Sequence, residues 1–236
     1  MNVRSLAATF VVLISVGTCA PTLAMAQEGN TTWDDLHLAK SSRSQRLYLL
    51  PGASFQPYNK ILLDTTEVAF RKNWMRDFNQ SRSLSMRVGQ DDIDRVSKEV
   101  SSSFGSILAE QYQTAGYQVV HSPGPDVLRI RTGVIDLAVN APDVRSANRT
   151  YSATWEAGEA TLVVEARDSQ SGALLGRALD RRLAGDRQPY LRNRATNKAD
   201  FNRMFREWAK LSVEGLTRLK GGSPVAQAVG SKPSER

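Results

Sequence analysis

The sequence predicts an α+β fold: a two-layer sandwich in which a mainly antiparallel sheet of about four to six strands carries two helices on one face. Three observations support this prediction. Near residue 100, apolar residues recur at the three- and four-residue spacing of a long amphipathic helix. Several strand-like segments separated by turn residues follow, and a second run of apolar residues at helical spacing lies near the C-terminus. Strands joined by tight turns pair antiparallel, and two amphipathic helices can cover one face of such a sheet.

The first elements are a strand and a helix. Residues 60–71, KILLDTTEVAFR, are rich in apolar and β-branched side chains and predict the first strand. The segment from Val88 to Gly116 predicts a helix, because apolar residues recur at steps of three and four from Ile93 to Tyr112. Gly105 interrupts this helix, and we expect it to mark a close approach to the sheet.

Four further strands are expected: residues 117–122, 127–139, 160–167 and 174–183. The alternation in the second of these shifts near Gly133, which indicates a bulge there, and residues 140–157 are expected to form a long polar loop or hairpin tip. The turn between the last two strands contains Asp168 and Ser171, whose side chains bond turn backbone, and Gly172, which tolerates the left-handed conformation.

The last helix is predicted from about Lys198 to Lys220. Its apolar face is formed by Phe201, Met204, Phe205, Trp208, Leu211, Leu216 and Leu219. We expect the apolar faces of both helices to pack on the same side of the sheet.

The chain divides into four segments. Residues 1–26 have a basic start, a short apolar run and an Ala-Met-Ala site, the pattern of a cleaved export signal. Residues 27–59 are expected to form a polar linker or arm, residues 60–220 one α+β domain, and residues 221–236 a disordered tail. Removing residues 1–26 takes away one of the 31 basic residues and none of the 24 acidic ones, so the exported chain has a net charge of +6.

Cys19 is the one cysteine of the sequence, and it lies at the end of the apolar run of the signal. A lipoprotein would be cleaved and lipidated at such a cysteine, but the preceding residue is Thr18 rather than a smaller one. We therefore expect a periplasmic protein, with an outer-membrane lipoprotein lipidated at Cys19 as the alternative.

Catalytic and metal-binding patterns are weak. His37 and His121 have no neighbouring histidine, and the exported chain has no cysteine, so we expect neither a metal site nor a cofactor. Paired carboxylates could serve as the acid and base of a glycan hydrolase. The acidic residues that this alternative would draw on are Asp64, Asp136, Glu156, Glu159, Glu165 and Asp168.

Arginine is the strongest compositional feature of the C-terminal third. Arginine side chains match carboxylates and phosphates, and an aromatic side chain on a loop can anchor a contact with another protein. The residues that we expect to form a binding face are Arg149, Trp155, Arg181, Arg182, Arg192 and Arg194. The competing interpretation is a solvated surface of charged residues.

Three stretches resemble a family of bacterial envelope proteins of unknown function, DUF3313, many of which look like lipoproteins. They are PGPDVLRIRTGVIDL at residues 123–137, GEATLVVEARDSQSGALLGRALDRR at 158–182, and the last helix with Trp208 and EGLTRLK at 214–220. The resemblance covers about residues 45–220. It implies an exported Gram-negative protein and supplies no reaction and no catalytic residues.

The sequence therefore predicts a non-enzymatic binding or accessory module of the cell envelope. Its expected partner is an anionic envelope component or another envelope protein, not nucleic acid, and a membrane only if Cys19 is lipidated. Two alternatives stay open: a carboxylate-based hydrolase acting on cell-wall or glycan substrates, and a lipid-tethered outer-membrane assembly factor.

Overall fold

The computed structural model describes residues 34–80, 82–140, 152–192 and 194–221. These residues belong to one compact unit that spans residues 31–236. For residues 85, 152–156, 186–192, 194 and 195 only the backbone is described. The predicted signal at 1–26 and most of the predicted tail at 221–236 lie outside the described residues.

Eight strands and three α-helices follow one another in the described chain. They are β1 (His37–Ser41), β2 (Gln45–Leu49), β3 (Lys60–Leu63), β4 (Glu67–Phe70), α1 (Trp74–Asn79), α2 (Gln90–Thr114), β5 (Gln118–Val120), β6 (Val127–Val139), β7 (Ser152–Asp168), β8 (Leu174–Arg192) and α3 (Arg194–Gly221). One turn of 3-10 helix, Leu84–Met86, lies between α1 and α2.

The strands form a single mostly antiparallel sheet with the order β1-β2-β8-β7-β6-β3-β5, and β4 also pairs with β6. Strands β6, β7 and β8 form an antiparallel meander, and β2 and β1 extend it antiparallel on one side. On the other side β3 and β4 run parallel to β6, and β5 runs parallel to β3. The predicted α+β class with a mainly antiparallel sheet is confirmed.

The predicted number of about four to six strands fits the eight observed strands only roughly, for two reasons. The predicted strand at 60–71 is divided into β3 and β4, which pair with β6 in nearly continuous register: Leu63 lies opposite Ile130, and Glu67 opposite Gly133. One extra residue on the β3–β4 side interrupts the ladder between these pairs. The other reason is that β1 and β2 come from the segment predicted to be a linker.

Helices α2 and α3 pack against each other and against one face of the sheet. The ring of Phe104 in α2 lies 5.4 Å from that of Phe205 and 6.2 Å from that of Trp208, both in α3. The bounds of α2 and α3 agree with the two predicted helices to within a few residues. Helix α1 is a third helix that the sequence did not predict, since its six residues are too few for a periodic pattern.

Two local expectations about glycine are wrong. The register between β6 and β7 shifts between Ile135 and Ala138, where Asp136 has a φ of 51°, rather than at Gly133. A Cβ added at Gly105 would meet no atom within 4 Å, so this helix glycine marks no close approach.

The turn between β7 and β8 has the predicted form. Gly172 adopts a φ of 73°, and its N–H donates to the carbonyl oxygen of Asp168 at 2.9 Å. The Asp168 carboxylate accepts from the backbone N–H and the hydroxyl of Ser171, both at 2.7 Å. The hydrogen bond from the Ser171 N–H is the largest of the causes that lower the pKa of Asp168 below its ordinary value. The Asp168 carboxylate therefore serves to close a turn.

Candidate functional site

The residues predicted to form a binding face are only partly placed by the structure. Two predicted residues lie outside the described part of the chain: Cys19 and Arg149. Three others are described by their backbone alone: Trp155 in β7, Arg192 at the end of β8 and Arg194 at the start of α3. Only Arg181 and Arg182 have described side chains.

Arg181 and Arg182 lie on opposite faces of the sheet, because consecutive residues of a strand point to opposite sides. The Arg181 guanidinium lies on the helix-free face, which is the sheet face opposite α2 and α3, and contacts Glu159 at 2.6 Å. The Nε of Arg182 donates to the carboxylate of Asp180 at 3.0 Å on the helix side. The structure therefore does not bring these two arginines together.

The helix-free face carries arginines that are paired with carboxylates. The pairs are Arg129 with Asp64 (3.0 Å), Arg131 with Glu67 (3.2 Å), Arg167 with Glu165 (2.8 Å), Arg177 with Glu165 (2.7 Å) and Asp34 (2.9 Å), and Arg181 with Glu159 (2.6 Å). Arg71 also contacts Glu159. In the described part of this face, carboxylates thus neutralise the charges of these arginines, so the face is a network of ion pairs rather than a basic surface.

Glu165 shows how strongly these charges are compensated. Burial raises the pKa of its carboxyl, but hydrogen bonds and Coulombic attraction from Arg177 and Arg167 outweigh burial, so the pKa lies below its ordinary value. A general acid must hold a proton near neutral pH. Glu165 is ionised there, which makes it unsuited to the acid role that a glycan hydrolase requires.

A cleft lies between the helix side of the sheet and the C-terminal half of α3. The volume of this cleft is about 170 Å³. Its walls are mainly apolar and include Leu47, Leu128, Ile130, Leu162, Trp208 and Leu211. Leu47 and Leu211 are only half-buried, so the cleft is open to solvent. Open apolar concavities of this kind are the usual form of small-molecule sites.

One wall of the cleft carries a buried carboxylate. Asp180 in β8 is only 8% exposed, and one of its carboxylate oxygens accepts from the side-chain amide of Gln45 at 3.1 Å and from Arg182 at 3.0 Å. Its other oxygen, Oδ1, is buried and has no hydrogen-bond partner among the described residues. A buried acceptor without a partner costs about 1–3 kcal/mol, so this carboxylate is held at a cost in stability.

The opposite wall includes Trp208 of α3. Trp208 is 1% exposed, and in the described structure its indole Nε1–H has no acceptor. Deeper in the cleft the hydroxyls of Tyr112 and Ser212 are 2.8 Å apart and join α2 to α3. Burial is the largest cause that raises the pKa of Tyr112 to about 12, so this phenol keeps its proton at physiological pH.

The mouth of the cleft is positively charged. Lys40 at the end of β1 and Arg218 in α3 line it and are exposed. The two elements that carry them are far apart in sequence, and the fold brings them to one opening. The cleft therefore combines an apolar interior with a cationic entrance.

The cleft was not identified from the sequence, although one signal was available. In β8 the residues on the helix side include Gly176, Ala178 and Asp180. Asp180 is therefore an acidic residue at a position that the alternation of the strand assigns to small apolar ones. Such a position is unusual for a carboxylate, because unpaired charges are rarely buried. The pairings of β1 with β2 and of β2 with β8, which supply Lys40 and Gln45, could not be predicted from a segment interpreted as a linker or arm.

Metal sites and helical membrane spans are absent from the described part of the chain. The described residues contain no group of three or more histidine, cysteine or acidic side chains placed to hold a metal ion. None of the described helices is long and apolar enough to cross a membrane.

The sequence matches the model of one protein family. Residues 32–212 match the family model described as "Protein of unknown function (DUF3313)", which is more than half of the chain. The chain belongs to this family. The resemblance seen in the strand and helix motifs of this DUF3313 protein is therefore confirmed.

Some solved structures are weakly similar to the DUF3313 chain. A PelC dodecamer from Paraburkholderia phytofirmans is 10% identical, covering 72% of this chain and 97% of that one, with a TM-score of 0.36. A Xanthomonas campestris protein of the DUF330 family model is 12% identical, covering 72% and 87%, with a TM-score of 0.39. No curated protein matches the DUF3313 chain.

Proposed function

We propose that this DUF3313 protein is an exported, non-enzymatic protein of the bacterial envelope that binds an amphiphilic molecule in the cleft between α3 and the sheet. The ligand has an acyl-like apolar part and an anionic end. The observation that supports this proposal is the combination of an open apolar cleft with a cationic mouth. Export is supported by the signal pattern of residues 1–26.

The apolar part of the ligand follows from the cleft walls. Leu47, Val164 and Leu211 are left half-buried by the fold, and a bound apolar group would remove their remaining surface from water. Such burial contributes roughly 25 cal/mol per Å². The enclosed volume of about 170 Å³ is similar to that of an engineered cavity of about 150 Å³ that accepts benzene. Because the cleft is open, a chain longer than this can extend out of it.

The charges at the mouth of the cleft indicate that the polar end of the ligand is anionic. Lys40 and Arg218 present two positive charges there, which attract a carboxylate or a phosphate. An anionic amphiphile fits both the interior and the entrance.

The proposal is tested by titrating the exported protein with a dansylated eleven-carbon fatty acid below its micelle concentration. Trp208 lines the cleft and transfers energy to a dansyl group bound nearby. We expect saturable binding of one molecule per chain. The double variant Lys40→Glu, Arg218→Glu should weaken binding about tenfold, because each exposed charge contact contributes up to about 1 kcal/mol.

The matched control is the double variant Arg43→Glu, Lys98→Glu. It reverses one arginine and one lysine that are exposed and do not line the cleft, so the net charge changes equally. Its affinity should equal that of the unaltered protein. A titration without saturation, or an equal loss in both double variants, contradicts the proposal.

A further inference from the structure

A second surface lies in the connection between β4 and α2, away from the strands and helix that form the cleft. Among the described residues, the large apolar side chains that are strongly exposed are Met75 (38%), Leu84 (81%) and Leu183 (57%). Met75 and Leu84 both belong to this connection. Water-exposed apolar side chains that share one short segment indicate a contact surface more strongly than scattered ones.

The connection is held in place by its own packing. Trp74 at the start of α1 is buried, and its ring lies 4.8 Å from that of Phe70 and 5.4 Å from that of Phe78. The side-chain amide of Asn79 donates to the carbonyl oxygen of Val88 at 2.8 Å and accepts from its N–H at 2.8 Å. The chain between these two residues is therefore closed into a loop, and Leu84 is presented on its turn of 3-10 helix.

The same segment is strongly basic. Residues 71–87 contain five basic residues and one acidic residue, Asp77, which gives a net charge of +4. Arg76 pairs with Asp77 at 3.0 Å, and Arg71 contacts Glu159 of β7. Within the described structure Lys72, Arg82 and Arg87 have no carboxylate partner. The Arg82 guanidinium lies 4.6 Å from the centre of the Phe78 ring, and Nε of Arg87 donates to the Arg82 carbonyl at 3.3 Å.

We infer that the surface formed by Lys72, Met75, Arg76, Arg82, Leu84 and Arg87 docks onto an anionic lipid bilayer. We call it the basic loop surface. Leu84 enters the boundary between head groups and acyl chains, and the surrounding cations lie at the level of the lipid phosphates. The 81% exposure of Leu84 at the tip of a basic loop fits insertion into a bilayer, and vesicle binding distinguishes this partner from an acidic protein, which would attract the same cations.

This surface gives the protein a route to membranes that does not depend on lipidation of Cys19. The sequence predicted membrane contact only through that cysteine. The basic loop surface and the cleft are carried by different elements, so failure of either proposal leaves the other standing. Together they describe a protein that rests reversibly on a membrane and holds an amphiphile.

The test is co-sedimentation of the exported protein with vesicles of phosphatidylethanolamine and phosphatidylglycerol, compared with vesicles of phosphatidylcholine. We expect binding to the anionic vesicles that weakens as salt is raised, because attraction by the lipid surface is screened. Leu84→Glu should lower the vesicle partition coefficient about tenfold, since it removes an inserted apolar group and adds a repelled charge.

The matched control is Leu183→Glu, which places the same charge at an exposed leucine of β8 on the sheet. It should bind the anionic vesicles as the unaltered protein does. All variants share one N-terminus, so any contribution from that region is common to them. Equal binding by Leu84→Glu and Leu183→Glu, or no binding by the unaltered protein, overturns the inference.

A double variant separates a bilayer from an acidic protein as the partner. Arg82→Gln, Arg87→Gln should weaken binding to anionic vesicles about as much as Leu84→Glu does. If the double variant weakens binding and Leu84→Glu does not, the surface recognises charge alone, and docking on a bilayer is wrong. Circular dichroism melting curves confirm that each variant is folded, which is expected because all of these side chains are wholly or partly exposed.

Discussion

Replacing Gly215 by leucine is expected to abolish binding of the dansylated fatty acid while making the protein more stable. Gly215 lies on the stripe of α3 that lines the cleft, together with Trp208, Leu211, Ser212 and Leu219. A Cβ built there meets no atom within 4 Å, so the new side chain grows into the open cleft. We expect the affinity to fall at least about a hundredfold, because the leucine occupies the volume that the ligand needs.

The stability of this variant should rise. Glycine in a helix interior costs about 1 kcal/mol relative to good helix formers such as leucine, and the added side chain buries apolar surface in the cleft. Loss of binding with a higher melting temperature cannot be attributed to unfolding. Calorimetry and the dansyl titration on the same sample provide both measurements.

Gly105→Leu is the control for this substitution. Gly105 lies inside α2, a Cβ there also meets no atom within 4 Å, and the residue does not line the cleft. It should raise stability by a similar amount and leave fatty-acid binding unchanged. If Gly215→Leu binds the fatty acid as tightly as Gly105→Leu does, the ligand does not lie where we propose.

Replacing Gly158 by alanine is expected to have the largest effect on folding. A Cβ at this position would lie 2.0 Å from the backbone oxygen of Ala138 and 3.0 Å from the ring of Phe201. Real carbon and oxygen atoms do not approach so closely, and the oxygen belongs to the paired strand β6, so backbone must move. Overpacking of a core costs about 1–3 kcal/mol and more where backbone is displaced. We expect a loss of at least about 3 kcal/mol in the free energy of unfolding.

Gly133→Ala provides the comparison within the same sheet. Its added Cβ would meet only the side chain of Ile135, at an ordinary contact distance of 3.7 Å. Stability should change by less than about 1 kcal/mol. Urea unfolding of the two variants measures the difference, and equal midpoints would show that β6 and β7 are not packed as described near Gly158.

The sequence predicted those elements whose pattern is long and regular. The apolar stripes that begin at Ile93 and at Phe201 identified α2 and α3 and the face on which they pack. The turn at Asp168 and Gly172 was predicted correctly because its side chains act on their own backbone. In each case the cause of the structure lies within a few consecutive residues, which a single sequence displays.

The elements that were missed depend on partners distant in sequence. Strand β2 is short and polar at its start, and what makes it a strand is its pairing with β8, more than 120 residues later. The ion pairs of the helix-free face also join residues distant in sequence: Arg129 pairs with Asp64, and Arg177 pairs with Asp34. Composition showed an excess of arginine but not that carboxylates from other strands would compensate it.

The same reasoning applies to the two proposed binding surfaces. The cleft requires β2, β8 and α3 to meet, and its cationic mouth joins Lys40 to Arg218 across most of the chain. The basic loop surface is local, and its charge could have been read between residues 71 and 87. Its significance depends on the exposure of Leu84, which periodicity does not reveal in so short a segment.

Photo-crosslinking tests the central claim, that an anionic amphiphile binds in the cleft, most directly. The exported protein is irradiated with a fatty acid that carries a diazirine near the end of its chain, and the modified peptides are identified by mass spectrometry. We predict adducts concentrated on β2 and on residues 208–219 of α3, and their loss in Gly215→Leu. Adducts spread over the surface, or an unchanged pattern in Gly215→Leu, would contradict the proposed function.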